Sequence, residues 1–247
     1  MELSQYYRKK KLKETEIAQL KSFAETRVRY LEKYLRRINP KKILELGCGE
    51  GSLAYEVKAI TDPQVYGLDI SSSSIKLAKK KGIIARKADL NKGIPFKDNV
   101  FDLVFSNQVI EHIYNTDVFL KESFRVLKKG GYFIVITPNI SFWLNRLIFP
   151  FGIYPIFFEV SLYNKTLGAG FLKKFMFEKD AVGHIRVFNL SSLIDMLKLY
   201  KFKIEKIEGI PFSFQMPKFL GFFYSILDWI FSKKPSFARD IMIIAKK

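Results

Sequence analysis

The first residues in this chain whose types and spacing could do chemistry are Glu45, Gly47, Gly49 and Gly51, within ILELGCGEG at 43–51. Glycine at every second position lets the backbone take positive φ and lets a ligand lie against bare main chain. A helix opening at about Ser52 would aim its amide-rich N-terminus at the same place. Holding a nucleotide is the chemistry this suits. The spacing is neither the phosphate cradle G-x-x-x-x-G-K-[ST] nor the dinucleotide fingerprint G-x-G-x-x-G. Asp69 follows the apolar run Val65-Tyr66-Gly67-Leu68, and an acid at a strand's carboxyl end can accept hydrogen bonds from a ribose diol. Ser71, Ser72 and Ser73 are better placed than Asp69 to cap the helix that follows.

A near-continuous apolar run at 100–105 then delivers Ser106, Asn107 and Gln108 to the same edge. These short polar side chains are placed to meet a cofactor and an acceptor, although Ser106 and Asn107 could equally end the strand. Glu111-His112 and His184-x-Arg186 contain the only two histidines. A histidine can take a proton near neutral pH, as an attacking hydroxyl requires. Glu111 and His112 could instead hold their loop, and His184 and Arg186 could bind an anionic acceptor or pin their own segment. As a base, His184 ranks slightly ahead of His112.

The elements that must position these groups are readable from periodicity. Ile43, Leu44 and Leu46 read as a short buried strand, with helices near 52–60, 73–81 and 117–127 and strands near 65–68, 83–85, 100–105 and 132–136. Gly130-Gly131 reads as a turn. Upstream, Ile17, Leu20, Ala24, Val28, Leu31, Leu35 and Ile38 recur at spacings of three and four, which predicts one amphipathic helix ended by Asn39-Pro40. It is expected to cover the edge of the sheet or, with Tyr6 and Tyr7, to fold over the ligand as a lid.

Taken together, these motifs resemble those of the class I S-adenosylmethionine-dependent methyltransferases, in their small-molecule, type 11-like branch. ILELGCGEG resembles the family's motif I and VYGLDIS at 65–71 its second strand. KADLNKGIPFKDN at 87–99 resembles the adenine-contacting turn, FDLVFSNQVIEHI at 101–113 motif IV, and RVLKKGGYFIVITPN at 125–139 the helix, glycine turn and fifth strand. The resemblance implies an α/β fold with a doubly wound, seven-stranded, mostly parallel sheet. It also implies S-adenosylmethionine as cofactor, held by Glu45, Gly47, Cys48, Gly49, Gly51, Asp69, Ile70, Asp89, Leu90 and Asn107. Asp89 would accept from the adenine amino group, with Leu90 packed beside the ring. Gln108, His112, His184 and Arg186 would face the acceptor. GHIRVFNLSSLIDMLKLYKFKIEKI at 183–207 resembles the segment before the last helix of many small-molecule members.

The expected organisation is an N-terminal helical extension over 1–39 and a methyltransferase domain over 40–247, with cap insertions at about 139–183 and 211–235. The first insertion is dense in aromatics, including Trp143, Phe149, Phe151, Tyr154, Phe157, Phe158 and Tyr163, and is broken by prolines and glycine. It is too interrupted to span a membrane. In the second, Lys218, Gly221, Ser225, Asp228 and Ser232 trace a narrow polar stripe on a helix otherwise almost wholly apolar. Its wide apolar sector would meet the domain and a second subunit, making a homo-oligomer through 218–231, or enter the interfacial layer of a membrane. The segment 241–245 reads as a strand that pairs antiparallel in this family.

A formal charge of +18 would attract nucleic acid or an anionic membrane surface, or, being largely lysine spread across helices, simply solvate exposed faces. The lone Cys48 excludes an internal disulfide and a cysteine cluster for zinc, and two histidines leave little for a metal site, so no metal is expected. No signal-peptide pattern opens the chain, which places it in the cytoplasm, with membrane association at the apolar helix. The expected reaction is methyl transfer to a small, lipid-linked or saccharide-linked acceptor of amphipathic, anionic character. RNA methylation is the weaker alternative, since motif IV lacks the N/D-P-P-Y/F form. A non-catalytic cofactor-binding or interaction subunit is the alternative from another class.

Overall fold

The computed structural model describes residues 14–156, 158–175, 180–211 and 218–247, with side chains from residue 25 onward except those of 175 and 218–220. Tyr6, Tyr7, the basic run beside them and Phe157 lie outside the described residues. Seven strands form one sheet in the order β3-β2-β1-β4-β5-β7-β6. These are β1 (Lys42–Leu46), β2 (Gln64–Asp69), β3 (Ile84–Lys87), β4 (Phe101–Asn107), β5 (Leu127–Pro138), β6 (Lys203–Ile210) and β7 (Asp240–Lys246). The strands β1 to β5 run parallel, and β7 lies antiparallel between β5 and β6. This is the doubly wound, mostly parallel arrangement expected. The Gly130-Gly131 turn is instead absorbed into β5, where Gly130 takes φ 76° and the register against β4 shifts.

Central strands buried on both faces need apolar residues at successive positions. Along β1, Ile43 faces one side with Leu103, Phe105, Ile134, Ile136, Met242 and Ile244. Leu44 and Leu46 face the other with Val104, Phe133, Val135, Ile241 and Ile243. The connecting helices are α1 (Glu14–Ile38), α2 (Ser52–Thr61), α3 (Ser72–Lys80), α4 (Thr116–Val126), α5 (Trp143–Ile148), α6 (Leu190–Leu199) and α7 (Lys218–Ser232). Asn115 caps α4 by accepting from Val118 N–H, and Asn189 and Ser192 form a reciprocal capping box on α6.

Helix α1 departs from expectation, and α7 takes an orientation that spacing left open. Helix α1 lies on a face of the sheet, not at its edge: Leu31, Tyr34 and Leu35 are buried against β1, β4, β5, β6 and β7. The Arg27 guanidinium reaches Asp240 Oδ2 at 2.8 Å, and Tyr34 donates to Glu208 Oε1, so polar contacts fix the same docking. Helix α7 buries part of its narrow polar stripe and leaves much of its wide apolar sector exposed. Asp228 and Ser232 are buried with Tyr224, while Phe222, Phe223, Ile226, Leu227, Trp229 and Ile230 are exposed. The reason is a side-chain pairing across the two insertions. Trp143 donates its indole N–H to Asp228 at 2.9 Å and stacks on Phe231, while Phe142 and Tyr224 close the cluster.

Candidate active site

The glycine loop is built as its spacing requires. Gly47, Gly49 and Gly51 all have positive φ, of 71°, 50° and 75°. A Cβ on Gly47 would strike Val109, and one on Gly51 would press on Ala78, so those glycines serve close packing. Gly49 is different: a Cβ there would meet nothing, because its bare backbone borders open space. Cys48 turns its side chain inward against Gly67 and into an apolar cluster, leaving only its backbone to face a ligand. Burial pushes its thiol well above the ordinary range, as does the nearby charge of Glu45 and Asp69.

Asp69 stands at the end of β2 and clamps that loop. One carboxylate oxygen accepts Gly49 N–H and the other Ser71 N–H, each at 2.8 Å. Ser71 accepts from Ser74 N–H as the cap of α3. Two bonds fill half the acceptor capacity of a carboxylate, leaving lone pairs for a diol. Beside it, Ile70 is half-buried and Ala88 N–H bonds Asp69 O at 2.9 Å, which brings Asp89 next to Asp69. Asp89 Oδ1 accepts both the N–H and the side-chain amide of Asn91, and Leu90 is buried. Glu45 is buried beneath the loop with Oε2 lacking a hydrogen-bond partner. Burial raises its carboxyl well above the usual range, outweighing a bond from Ala54 N–H at the start of α2.

At the end of β4, Asn107 and Gln108 leave the sheet. Gln108 has φ 55°, and its N–H still bonds Ile136 O at 2.9 Å. Asn107 Oδ1 and Gln108 Nε2 are buried without hydrogen-bond partners, as is Ser106 Oγ. Buried polar atoms of this kind call for an explanation, and a bound polar ligand is one. Open space over Gly49, a diol acceptor at Asp69 and orphaned groups at Glu45, Asn107 and Gln108 therefore fit a nucleoside cofactor bearing an amino acid end.

Two residues beyond Gln108, a short 3₁₀ turn (Ile110–His112) begins that brings the acid and base groups together. His112 and His184, 72 positions apart in the chain, have ring centroids 4.8 Å apart. His184 Nε2 is 4.0 Å from Glu111 Oε1. Glu111 Oε2 accepts from Thr137 Oγ1 at 3.0 Å, whereas Oε1 is buried and accepts no hydrogen bond. Burial lifts the Glu111 carboxyl to about 7 against the Thr137 bond. Burial and the neighbouring His184 push His112 down to about 4, so it is neutral at pH 7. The returning segment is stapled over this turn, since Ile185 and Arg186 N–H both bond Glu111 O. Glu159 accepts from Val182, Gly183 and His184 N–H.

Of the acceptor-side residues read from sequence, His112 and His184 converge, and Gln108 stands just before their turn at the end of β4. Arg186 does not: its guanidinium donates to Tyr114 O at 2.6 Å and lies over the Tyr114 ring. Glu111, Thr137 and Glu159 were missed as site residues. Glu111 was visible only as the neighbour of His112, and the other two act across long loops that spacing does not reveal.

Residues 44–135 match the protein family described as a methyltransferase domain. The ubiquinone biosynthesis O-methyltransferase of Pelagibacter ubique is 28% identical over 193 residues, covering 76% of this chain and 70% of that protein. A fatty-acid O-methyltransferase of Mycolicibacterium smegmatis is 37% identical over 102 residues, 39% of this chain and 37% of the relative. The chain thus spans less than half the length of several curated relatives it matches. A solved S-adenosylmethionine-dependent methyltransferase from Archaeoglobus fulgidus shares the fold at TM-score 0.55 and 18% identity, covering 89% of this chain and 94% of that one.

Proposed function

This chain carries a class I S-adenosylmethionine-dependent methyltransferase domain, and from that premise we propose that it methylates a hydroxyl oxygen of an amphipathic small or lipid-linked acceptor. The observation that carries the cofactor half is Gly49, a left-handed glycine whose missing Cβ faces open space beside the Asp69 carboxylate. The bare backbone at Gly49 would hold the amino acid end, on a turn that Gly47 and Gly51 allow to pack closely, with Asp69 on the ribose and Asp89 with Leu90 on the adenine. Glu45, Asn107 and Gln108 offer the polar atoms left without partners. When bound, the cofactor supplies a methyl group already activated by its sulfonium.

The protein's part is then to align the acceptor, exclude water and take care of one proton. Asn107 and Gln108 orient at the end of β4. The Glu111, His112 and His184 cluster is where the hydroxyl proton can be handled, being largely buried and following those orienting groups in the chain by a single short turn. Support for an apolar acceptor tail comes from the exposed aromatics of the first insertion, among them Phe149, Phe151 and Tyr163. The relatives named for ubiquinone biosynthesis and for a fatty acid fit the same class. We further propose that the exposed face of α7 meets an anionic membrane surface, from which such an acceptor would be drawn.

Calorimetric titration of S-adenosylmethionine and its demethylated product into the full chain tests the cofactor half. Micromolar binding that largely disappears in Asp69→Ala is expected. No binding to folded wild-type protein overturns the reading. An acceptor screen with lipid extracts follows, and turnover only on RNA would overturn the acceptor class.

A further inference from the structure

Glu111, His112 and His184 each offer one ligand atom, and these atoms lie within 4.8 Å of one another. We propose that they form a divalent transition-metal site at the mouth of the cofactor pocket, whose remaining coordination positions take the acceptor's oxygen. The inference rests on the methyltransferase reading for the role of the metal, though not for its binding.

Two imidazoles and one carboxylate are a donor set that suits Zn²⁺, Fe²⁺, Mn²⁺ or Co²⁺. Ligands at about 2.0–2.2 Å from one ion stand about 3–3.5 Å apart, so the cluster needs to close by about 1 Å, within the reach of small side-chain rotations. Glu111 Oε1 is the observation that calls for an ion. It is buried, accepts no hydrogen bond and faces His184 Nε2 at 4.0 Å, too far for a hydrogen bond and close enough to share a cation.

The surroundings are those of a supported metal site, in which each ligand is fixed by an outer partner. His112 Nδ1 lies 2.9 Å from Gly183 O, and as the donor there it leaves the ring lone pair on Nε2. Thr137 donates to the other oxygen of Glu111 at 3.0 Å, aiming Oε1 at the histidines. Glu159 fixes the backbone of 182–184 through three N–H groups, which holds His184 in place. Arg239, behind the cluster, is balanced by its bond to Asp240.

Three protein ligands leave positions open, as in catalytic metal sites. A hydroxyl coordinated there becomes more acidic, releases its proton to water and presents an oxygen to the orienting groups Asn107 and Gln108. This favours acceptors whose hydroxyl can coordinate, and a neighbouring second oxygen would strengthen the hold.

The test uses tag-free, chelator-treated full-length protein titrated with Co²⁺, read by visible ligand-field absorption and by calorimetry, with a parallel cofactor titration. One equivalent of Co²⁺, displaced by Zn²⁺, is expected. His184→Ala and His112→Ala should each weaken Co²⁺ binding by at least about tenfold, with folding checked by thermal melting. Glu111→Gln, which keeps the Thr137 contact and lacks the charge, should do the same. Absence of saturable Co²⁺ binding in protein that binds the cofactor overturns the metal site and leaves the methyltransferase reading standing. Undiminished Co²⁺ binding in both histidine variants likewise overturns it. Co²⁺ binding without cofactor binding supports the site and overturns the methyltransferase reading instead.

Discussion

Asp69 builds the glycine loop and, in the proposed reading, also lines the cofactor site. Its two oxygens hold Gly49 and Ser71 N–H, so the loop is drawn over the end of β2 before any ligand arrives. Asp69→Ala should therefore lose more than ribose contacts, and Asp69→Asn, which keeps one carbonyl oxygen, should fall between. We expect at least a tenfold weaker cofactor affinity in Asn and near loss in Ala, about 1.4 kcal/mol or more by calorimetry. Glu45 allows a separate test. Its carboxyl is raised in the folded protein, chiefly by burial, so the folded state holds a proton that the unfolded state has lost. That contribution is fully present below the unfolded value, near 4.5, and is lost as pH rises through the folded value. Glu45→Gln should remove this decline, so denaturant midpoints of wild type and variant should draw apart in the variant's favour as pH rises from 5 to about 9. Parallel curves would contradict the assignment. The geometry of the glycine loop and the place of Asp69 beside it were legible in sequence because they follow from local spacing. Glu111 as a site member was not, since its function comes from His184, 73 positions away, and from Thr137 on the neighbouring strand.

Helix α1 shows where element-level reading succeeds and where it stops. Its stripe of three-and-four spacing fixed a helix with one apolar side, but spacing carries no information on which surface that side meets. The choice of face over edge comes from long-range pairs, above all Arg27 with Asp240. Asp240 is buried, which would raise its carboxyl, yet Arg239 and Arg27 beside it hold it below the usual range. Arg239 still balances Asp240 when Arg27 is removed, so Arg27→Ala should cost roughly 1.5–3 kcal/mol in chemical denaturation, the value of a hydrogen bond to a charged group, with Lys33→Ala, an exposed pair with Glu208, costing less than about 1 kcal/mol. Helix α7 makes the same point in reverse. Spacing marked a narrow polar stripe and a wide apolar sector without fixing which side meets the domain, and Asp228 is buried to receive the Trp143 indole N–H. A hydrophobic pattern orients a helix only when one side has no better partner, and here the hydrogen bond turns the helix. Asp228→Ala should release it, costing roughly 1–3 kcal/mol for the unsatisfied indole and reducing the protection of the buried Trp143 from solvent quenching.

At the scale of the whole molecule, the orientation of α7 leaves a surface that the sheet does not use. Phe222, Phe223, Ile226, Leu227, Trp229 and Ile230 are all exposed along it, with Lys233 lying over the Trp229 ring at 3.5 Å. No helix among the described residues is long and apolar enough to cross a membrane. An exposed apolar face ending in lysines, on a chain of formal charge +18, has the chemistry of an interfacial contact with anionic lipid. Aromatic burial and charge attraction act together there. The two contributions separate experimentally. Binding to vesicles containing anionic lipid should exceed binding to neutral vesicles and fall as salt rises, because each screened lysine near the surface gives up part of roughly 1 kcal/mol. Phe222→Ser with Trp229→Ser should weaken vesicle binding at every salt concentration while leaving cofactor affinity unchanged, since neither side chain touches the glycine loop. A dimer by sedimentation that disappears in the same double variant, with no vesicle binding by wild type, would assign the face to a second copy instead.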